Sequence, residues 1–181
     1  MKKFYDLIES IFTAVLVITI STLFLFRVIV VDGGSMLNTL HHQEKLIISN
    51  VMYTPEKGDI VVTDTHNSYG KPLIKRVIAT EGQWIDLEGG NVYVGEDRLN
   101  MYKVSDEFVG DVYTEEVVAG GLLGYYEYPI QVPQNHVFVL GDNRNVSLDS
   151  RTEIVGLIDC RQILGKALYR VYPIEKIGSL Y

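Results

Sequence analysis

The sequence predicts a mainly β protein: a single N-terminal transmembrane helix, then an antiparallel β-sheet domain with a small inserted cap. Three observations carry this. Ser10 to Phe26 is a run of seventeen consecutive uncharged residues, SIFTAVLVITISTLFLF. Beyond it come short runs of about 4–7 residues, rich in Val, Ile and Tyr and bounded by Gly, Pro, Asn or Asp, which is how strands read. No twelve-residue amphipathic helical pattern follows the apolar run.

The apolar run covers about 26 Å as a helix, against a hydrocarbon core about 30 Å thick. The gap closes if Leu7–Glu9 join the helix and the Arg27 side chain reaches back to the interface. A cleavable signal peptide would have a shorter apolar region and a small-residue cleavage site, whereas Phe26-Arg27-Val28-Ile29-Val30 follows here. A buried core helix would show a polar stripe. The anchor, residues 1–30, is therefore expected to stay attached. Lys2 and Lys3 against Arg27 favour a cytoplasmic N-terminus, so the rest of the chain faces outward from a single-pass cell-membrane protein.

The expected strands are, in order, Val28–Val31, Lys45–Val51, Gly58–Thr63, Leu73–Ala79, Trp84–Leu87, Asn91–Val94 and Val137–Leu140. Glu88-Gly89-Gly90-Asn91 reads as the turn of a hairpin. Short helices are expected near Ser35–His42 and at Asp159–Leu164. Residues 88–132 lack a regular pattern. They hold Asp106, Glu107, Asp111, Glu115 and Glu116 with a tyrosine cluster, Tyr125, Tyr126 and Tyr128, read as packing. This stretch is expected to be an inserted cap, leaving 31–87 and 133–181 as the main β domain.

A formal charge of −7 in 181 residues argues against nucleic acid as a partner. One cysteine, Cys160, excludes an internal disulfide and reads as a half-buried packing residue. His41-His42 lack a carboxylate at metal-ligand spacing, so neither metal nor cofactor is expected. Asn145-Val146-Ser147 matches a glycosylation acceptor by coincidence.

Gly34-Ser35-Met36 lies nine positions beyond the apolar run, which places a candidate nucleophile at the membrane border. A serine hydroxyl needs a base. None of the four histidines sits in a recognisable triad motif, and no Gly-x-Ser-x-Gly elbow exists. Lysine is the alternative, but at its ordinary pKa only about one in 2,500 is neutral at pH 7, a deficit of about 4.6 kcal/mol. Burial can lower a lysine pKa by about 3–5 units. Lys75, inside Pro72-Leu73-Ile74-Lys75-Arg76-Val77-Ile78-Ala79, has the apolar flanks this requires.

Four segments occur in order: Gly34-Ser35-Met36-x-x-Thr39-Leu40, Pro55-x-x-Gly58-Asp59-Ile60-Val61-Val62, Lys75-Arg76-Val77-Ile78, and Gly141-Asp142-Asn143-Arg144-x-x-Ser147-x-Asp149-Ser150-Arg151. The chain thereby resembles the type I signal peptidases, Ser-Lys endopeptidases that remove signal peptides from secretory preproteins. The resemblance implies Ser35 as nucleophile, Lys75 as general base, and Ser147 as the hydroxyl that bonds the lysine amine. It implies Asp149 and Arg151 as a supporting charged pair, and Met36, Leu40 and Ile74 as lining for pockets that take small residues at positions −1 and −3 of the substrate. The Ser35 backbone N–H would stabilise the oxyanion, with Gly33 where some members carry a helping serine. Asn38 stands where the family usually has proline, which loosens the turn and removes no reacting group. Asp142-Asn143-Arg144 reads as a turn with side chain–backbone bonds.

The implied partners are secretory preproteins and membrane lipid. Two other readings compete. A self-cleaving Ser-Lys repressor would carry a DNA-binding N-terminal domain where this chain has its anchor. A catalytically impaired, membrane-tethered peptide-binding β-domain would be expected to lack Ser35 or Lys75, and both are present.

Overall fold

A computed structural model describes residues 2–37, 39–104, 114 and 126–181. Asn38, Tyr125 and the acidic residues of the expected cap lie outside these. One α-helix, α1 (Lys2–Leu25), opens the chain. Its stretch Lys3–Ser21 is long and apolar enough to cross a membrane. The described apolar side chains along it, Phe4 to Ile20, all stand exposed, so the helix does not pack on the body. Ser10, Thr13 and Thr19 return their hydroxyls to carbonyls four residues back, at 2.8–2.9 Å, so each hydroxyl is satisfied within the helix.

Among the described residues twelve strands follow: β1 (Arg27–Val30), β2 (Lys45–Ser49), β3 (Ile60–Thr63), β4 (Ile74–Ala79), β5 (Trp84–Glu88), β6 (Asn91–Gly95), β7 (Tyr102–Lys103), β8 (Ile130–Gln131), β9 (His136–Leu140), β10 (Ile158–Asp159), β11 (Ile163–Tyr172) and β12 (Gly178–Ser179). The protein is mainly β, as the sequence predicts. Only Phe26 separates α1 from β1. Residues 27–30, counted with the anchor from sequence, thus pair in the sheet, Val28 opposite Ile47 and Val30 opposite Lys45.

The large antiparallel sheet has the order β1-β2-β11-β3-β4-β9-β10, with β12 beside β11. The second sheet, β7-β6-β5-β8, takes in the expected hairpin, Trp84 to Glu88 against Gly95 to Asn91. The two sheets therefore part ahead of Trp84, and a division at residue 87 would cut this hairpin. Tyr126, Tyr128 and Phe138 stack edge to face at 6.3–6.4 Å and pack this sheet onto the main one.

Two expectations fail. Among the described residues Ser35–His42 forms turns instead of a helix: Leu37 N–H donates to Gly34 O and Thr39 N–H to Met36 O, and of these residues only Leu40 N–H makes a helical bond, to Met36 O. One turn cannot repay helix nucleation. Asp159–Leu164 yields a single 3-10 turn, Cys160–Gln162, capped by the Asp159 side chain, before the chain straightens into β11. The sequence reading missed β11, the longest of these strands, which lies between β2 and β3 in the sheet. Gly165 is needed there because a Cβ would meet Ser49 O at 2.6 Å, and the register shifts beside it, as at a bulge.

Strand β4 borders all three apolar clusters. Ile74 packs with Met36, Leu40 and Ile48; Val77 with Val61, Val139 and Ile158; Ile78 and Ala79 with Ile85, Val94 and Phe138. A polar side chain on this strand is therefore held far from water.

Candidate active site

Ser35 sits in the loop between β1 and β2, which Val31 and Glu44 close by a backbone bond of 2.8 Å. Lys75 is the second residue of β4 and is 2 % exposed. Its Nζ donates to Ser35 Oγ at 2.8 Å and to Ile74 O at 3.1 Å. Burial pushes the amine down to about 8, against the opposing pull of the Asp149 and Asp142 carboxylates and with help from Arg151. At that value roughly a tenth of the amine is neutral at pH 7, instead of about one in 2,500. A neutral Nζ can accept the Ser35 hydroxyl proton along the same line.

Two buried ion pairs frame this couple. Arg151 donates from Nε to Asp149 Oδ1 (2.8 Å) and from Nη2 to Oδ2 (2.9 Å), both side chains being inaccessible to solvent. The same Nη2 donates to the Arg144 carbonyl, and Asp149 Oδ2 accepts from Gly141 N–H at 3.1 Å. Sequence reasoning missed the second pair. Arg76 donates from Nε to Asp142 Oδ1 (2.8 Å) and from Nη2 to Oδ2 (2.6 Å), while its Nη1 donates to Gly58 O (2.8 Å). Thr39 Oγ1 donates to the same carboxylate at 2.5 Å. An arginine inside an apolar strand was the available signal, since a buried charge requires a partner.

Asn143 was read only as part of a turn. Its Nδ2 donates to Gly34 O and its backbone N–H to Ser35 O, both at 3.0 Å, so the loop after β9 grips the nucleophile turn. From the other side Arg170 donates from Nη2 to Thr39 O at 2.6 Å and pairs with buried Glu44 at 2.9 Å.

Ser147 is buried beside this centre but does not hold the lysine as expected. Its hydroxyl donates to Leu148 O at 3.4 Å, and the Lys75 amine takes the Ile74 carbonyl in its place. Ser147 and Ser35 converge on Gly141, where a Cβ would lie 2.1 Å from Ser147 Oγ and 2.5 Å from Ser35 O. Met36, Leu40 and Ile74 do meet in one cluster. Met36 (2 % exposed) and Leu40 (0 %) form its floor, while Ile74 and Ile29 reach the surface. His41 and His42 diverge, the first toward Glu44 (3.6 Å) and the second toward Asp32 (3.3 Å). Among the described residues, no group of three or more His, Cys, Asp or Glu side chains could hold a metal ion.

The arrangement is a hydroxyl in contact with a desolvated amine. Comparison with known proteins gives the family. Residues 4–172 match the family model described as signal peptidase, peptidase S26. The chain is 31% identical over 179 residues to signal peptidase I of Bacillus licheniformis, covering 97% of this chain and 92% of that one. It is 30% identical over 180 residues to signal peptidase I S of Bacillus subtilis strain 168, covering 97% and 93%. A crystal structure of a signal peptidase I from Enterococcus faecalis aligns with TM-score 0.47 at 23% identity, over 63% of this chain and 97% of that one. The protein whose Ser35 and Lys75 meet in this way belongs to the signal peptidase family, peptidase S26.

Proposed function

We propose that the protein is a membrane-anchored serine endopeptidase with a Ser35–Lys75 dyad. It removes N-terminal signal peptides from secreted preproteins at the outer face of the membrane. The observation that carries this is the 2.8 Å contact between Ser35 Oγ and a lysine amine whose pKa burial lowers to about 8.

Neutral Lys75 takes the Ser35 proton as Oγ attacks the scissile carbonyl. Negative charge develops on the carbonyl oxygen, and Ser35 N–H is available to it: among the described residues it has no acceptor. The Lys75 ammonium then returns the proton to the leaving amine. A water, deprotonated by the same amine, releases the acyl-enzyme. Asp149–Arg151 and Arg76–Asp142 hold the elements that carry the dyad, and Ser147 fills the space against Gly141. Ile74, over the floor of Met36 and Leu40, receives small substrate side chains and rejects large ones by clash. The length and apolar composition of α1 support a site at the lipid border, and the Lys2–Lys3 bias supports a cytoplasmic N-terminus.

The test is cleavage of a preprotein by the detergent-solubilised chain. Wild type should cut on the carboxyl side of a small residue, while Ser35→Ala and Lys75→Ala should fall by at least about a thousandfold. Equal cutting by all three would remove the dyad. Peptide binding without any cutting would leave a tethered binding domain.

A further inference from the structure

Gly33 and Gly34 lead into Ser35 with no side chains to fix their own backbone. Gly33 has φ +91°, where glycine is at ease and other residues are not. Glycine samples both signs of φ freely, so an untethered pair would leave the nucleophile turn loose. Asn143 ties down the carbonyl side of this turn, at Gly34 O and Ser35 O. On the amide side a histidine does so: Gly33 N–H donates to His42 Nδ1 at 3.2 Å. Among the described residues, the next three amides, of Gly34, Ser35 and Met36, have no acceptor. The turn is thus held at its first amide and at two carbonyls, while the next three amides stay open.

Given the peptidase reading above, we propose that His42 is a positioning residue: its Nδ1 takes the Gly33 amide and holds the Gly33-Gly34 entry so that Ser35 N–H stands ready for the oxyanion. The tautomer follows from the chemistry. An amide N–H can only donate, so Nδ1 carries the lone pair and Nε2 the proton. Gln43 Nε2 lies 3.2 Å from the ring Nε2; turning that side-chain amide over brings its oxygen to the same place, where it accepts the ring proton. Asp32 Oδ1, 3.3 Å from Nδ1, competes for this nitrogen only if it carries a proton. The ring is more than half exposed, so its role is not that of a core residue.

Oxyanion donors act in the transition state, so a loosened turn lowers kcat and spares KM. In the full chain in detergent, His42→Ala should lose about three- to tenfold in kcat, the worth of one partly exposed neutral hydrogen bond. KM should stay within about twofold. His42→Asn, whose Oδ1 reaches the place of Nδ1, should recover most of the loss. The Gly33 amide, followed by 15N-resolved hydrogen exchange, should be slow in wild type and His42→Asn and fast in His42→Ala. An unchanged kcat, a loss shared by KM, no recovery by Asn, or a Gly33 amide that exchanges freely in wild type overturns the role. Should His42→Ala fail to fold, the Asn variant and wild-type exchange decide by the same criteria. A wild type that does not cut, or a Ser35→Ala that cuts as well, overturns the peptidase reading itself and this role with it; a wild type that cuts while Gly33 exchanges freely overturns only the role of His42.

Discussion

Lys75 carries a cost for the fold that its chemistry requires. Its amine titrates at about 8 in the folded chain against 10.5 when free. Below pH 8 both folded and unfolded chains hold the proton, and the fold bears the full penalty of a buried charge. Between about pH 8 and 10.5 the folded chain has released it and the unfolded chain has not, so stability rises with pH through this window, by about 3 kcal/mol in all. Two outcomes follow. The kcat/KM for a preprotein should climb with an apparent pKa near 8 and then level, as the free enzyme loses the Lys75 proton; a profile still climbing at pH 10 contradicts a desolvated base. Lys75→Met should be inactive yet more stable at pH 7 by about 1–3 kcal/mol, read by urea unfolding, with the gain shrinking between about pH 8 and 10.5. At Gly141 the constraint is steric. Gly141→Ala should lower activity at least tenfold and cost about 1–3 kcal/mol, because the new methyl meets Ser147 and the Ser35 carbonyl at once.

At the level of elements, β4 is joined to the loop after β9 by Arg76–Asp142, with both charges buried. Removing one partner leaves the other uncompensated, so Asp142→Ala should lose about 3–5 kcal/mol in denaturant unfolding. The double variant Arg76→Met with Asp142→Leu should recover most of that stability without recovering full activity, since Thr39 loses its acceptor. Strands with a near-continuous apolar run, such as β3 and β9, were legible because burial on both faces demands that composition. Strand β11 was not. Gly165, Lys166, Ala167 and Arg170 are poor strand formers, and register shifts at Ile163/Gly165, Ala167/Tyr169 and Arg170/Tyr172 break the two-residue period on which a sequence reading depends. In the site, the pairing of Ser35 with Lys75 was legible because the chemistry read for them needs those two side chains to meet, and they do. Asn143 and Arg170 were not, because each grips backbone carbonyls, which every residue possesses. Ser147 shows the converse limit: its position near the centre was legible, its hydrogen-bond partner was not.

Across the whole molecule, the apolar faces of α1 find no cover in the body. A chain starting at Arg27 should therefore keep its melting temperature within about 2 °C and still cut short soluble peptides, while losing most turnover on preproteins in vesicles. Phe26 alone joins helix to sheet, so with α1 in the bilayer, as proposed, no long tether would let the domain drift away from the lipid. On that reading the bilayer surface would serve as a datum, and the reach from it to the serine would be set by a short, folded stretch of chain. Such a protein would gauge where a precursor leaves the hydrocarbon and cleave at a set height above it. Adding a pliant Gly-Ser segment after Leu25 should blur that height and admit precursors whose apolar cores are the wrong length.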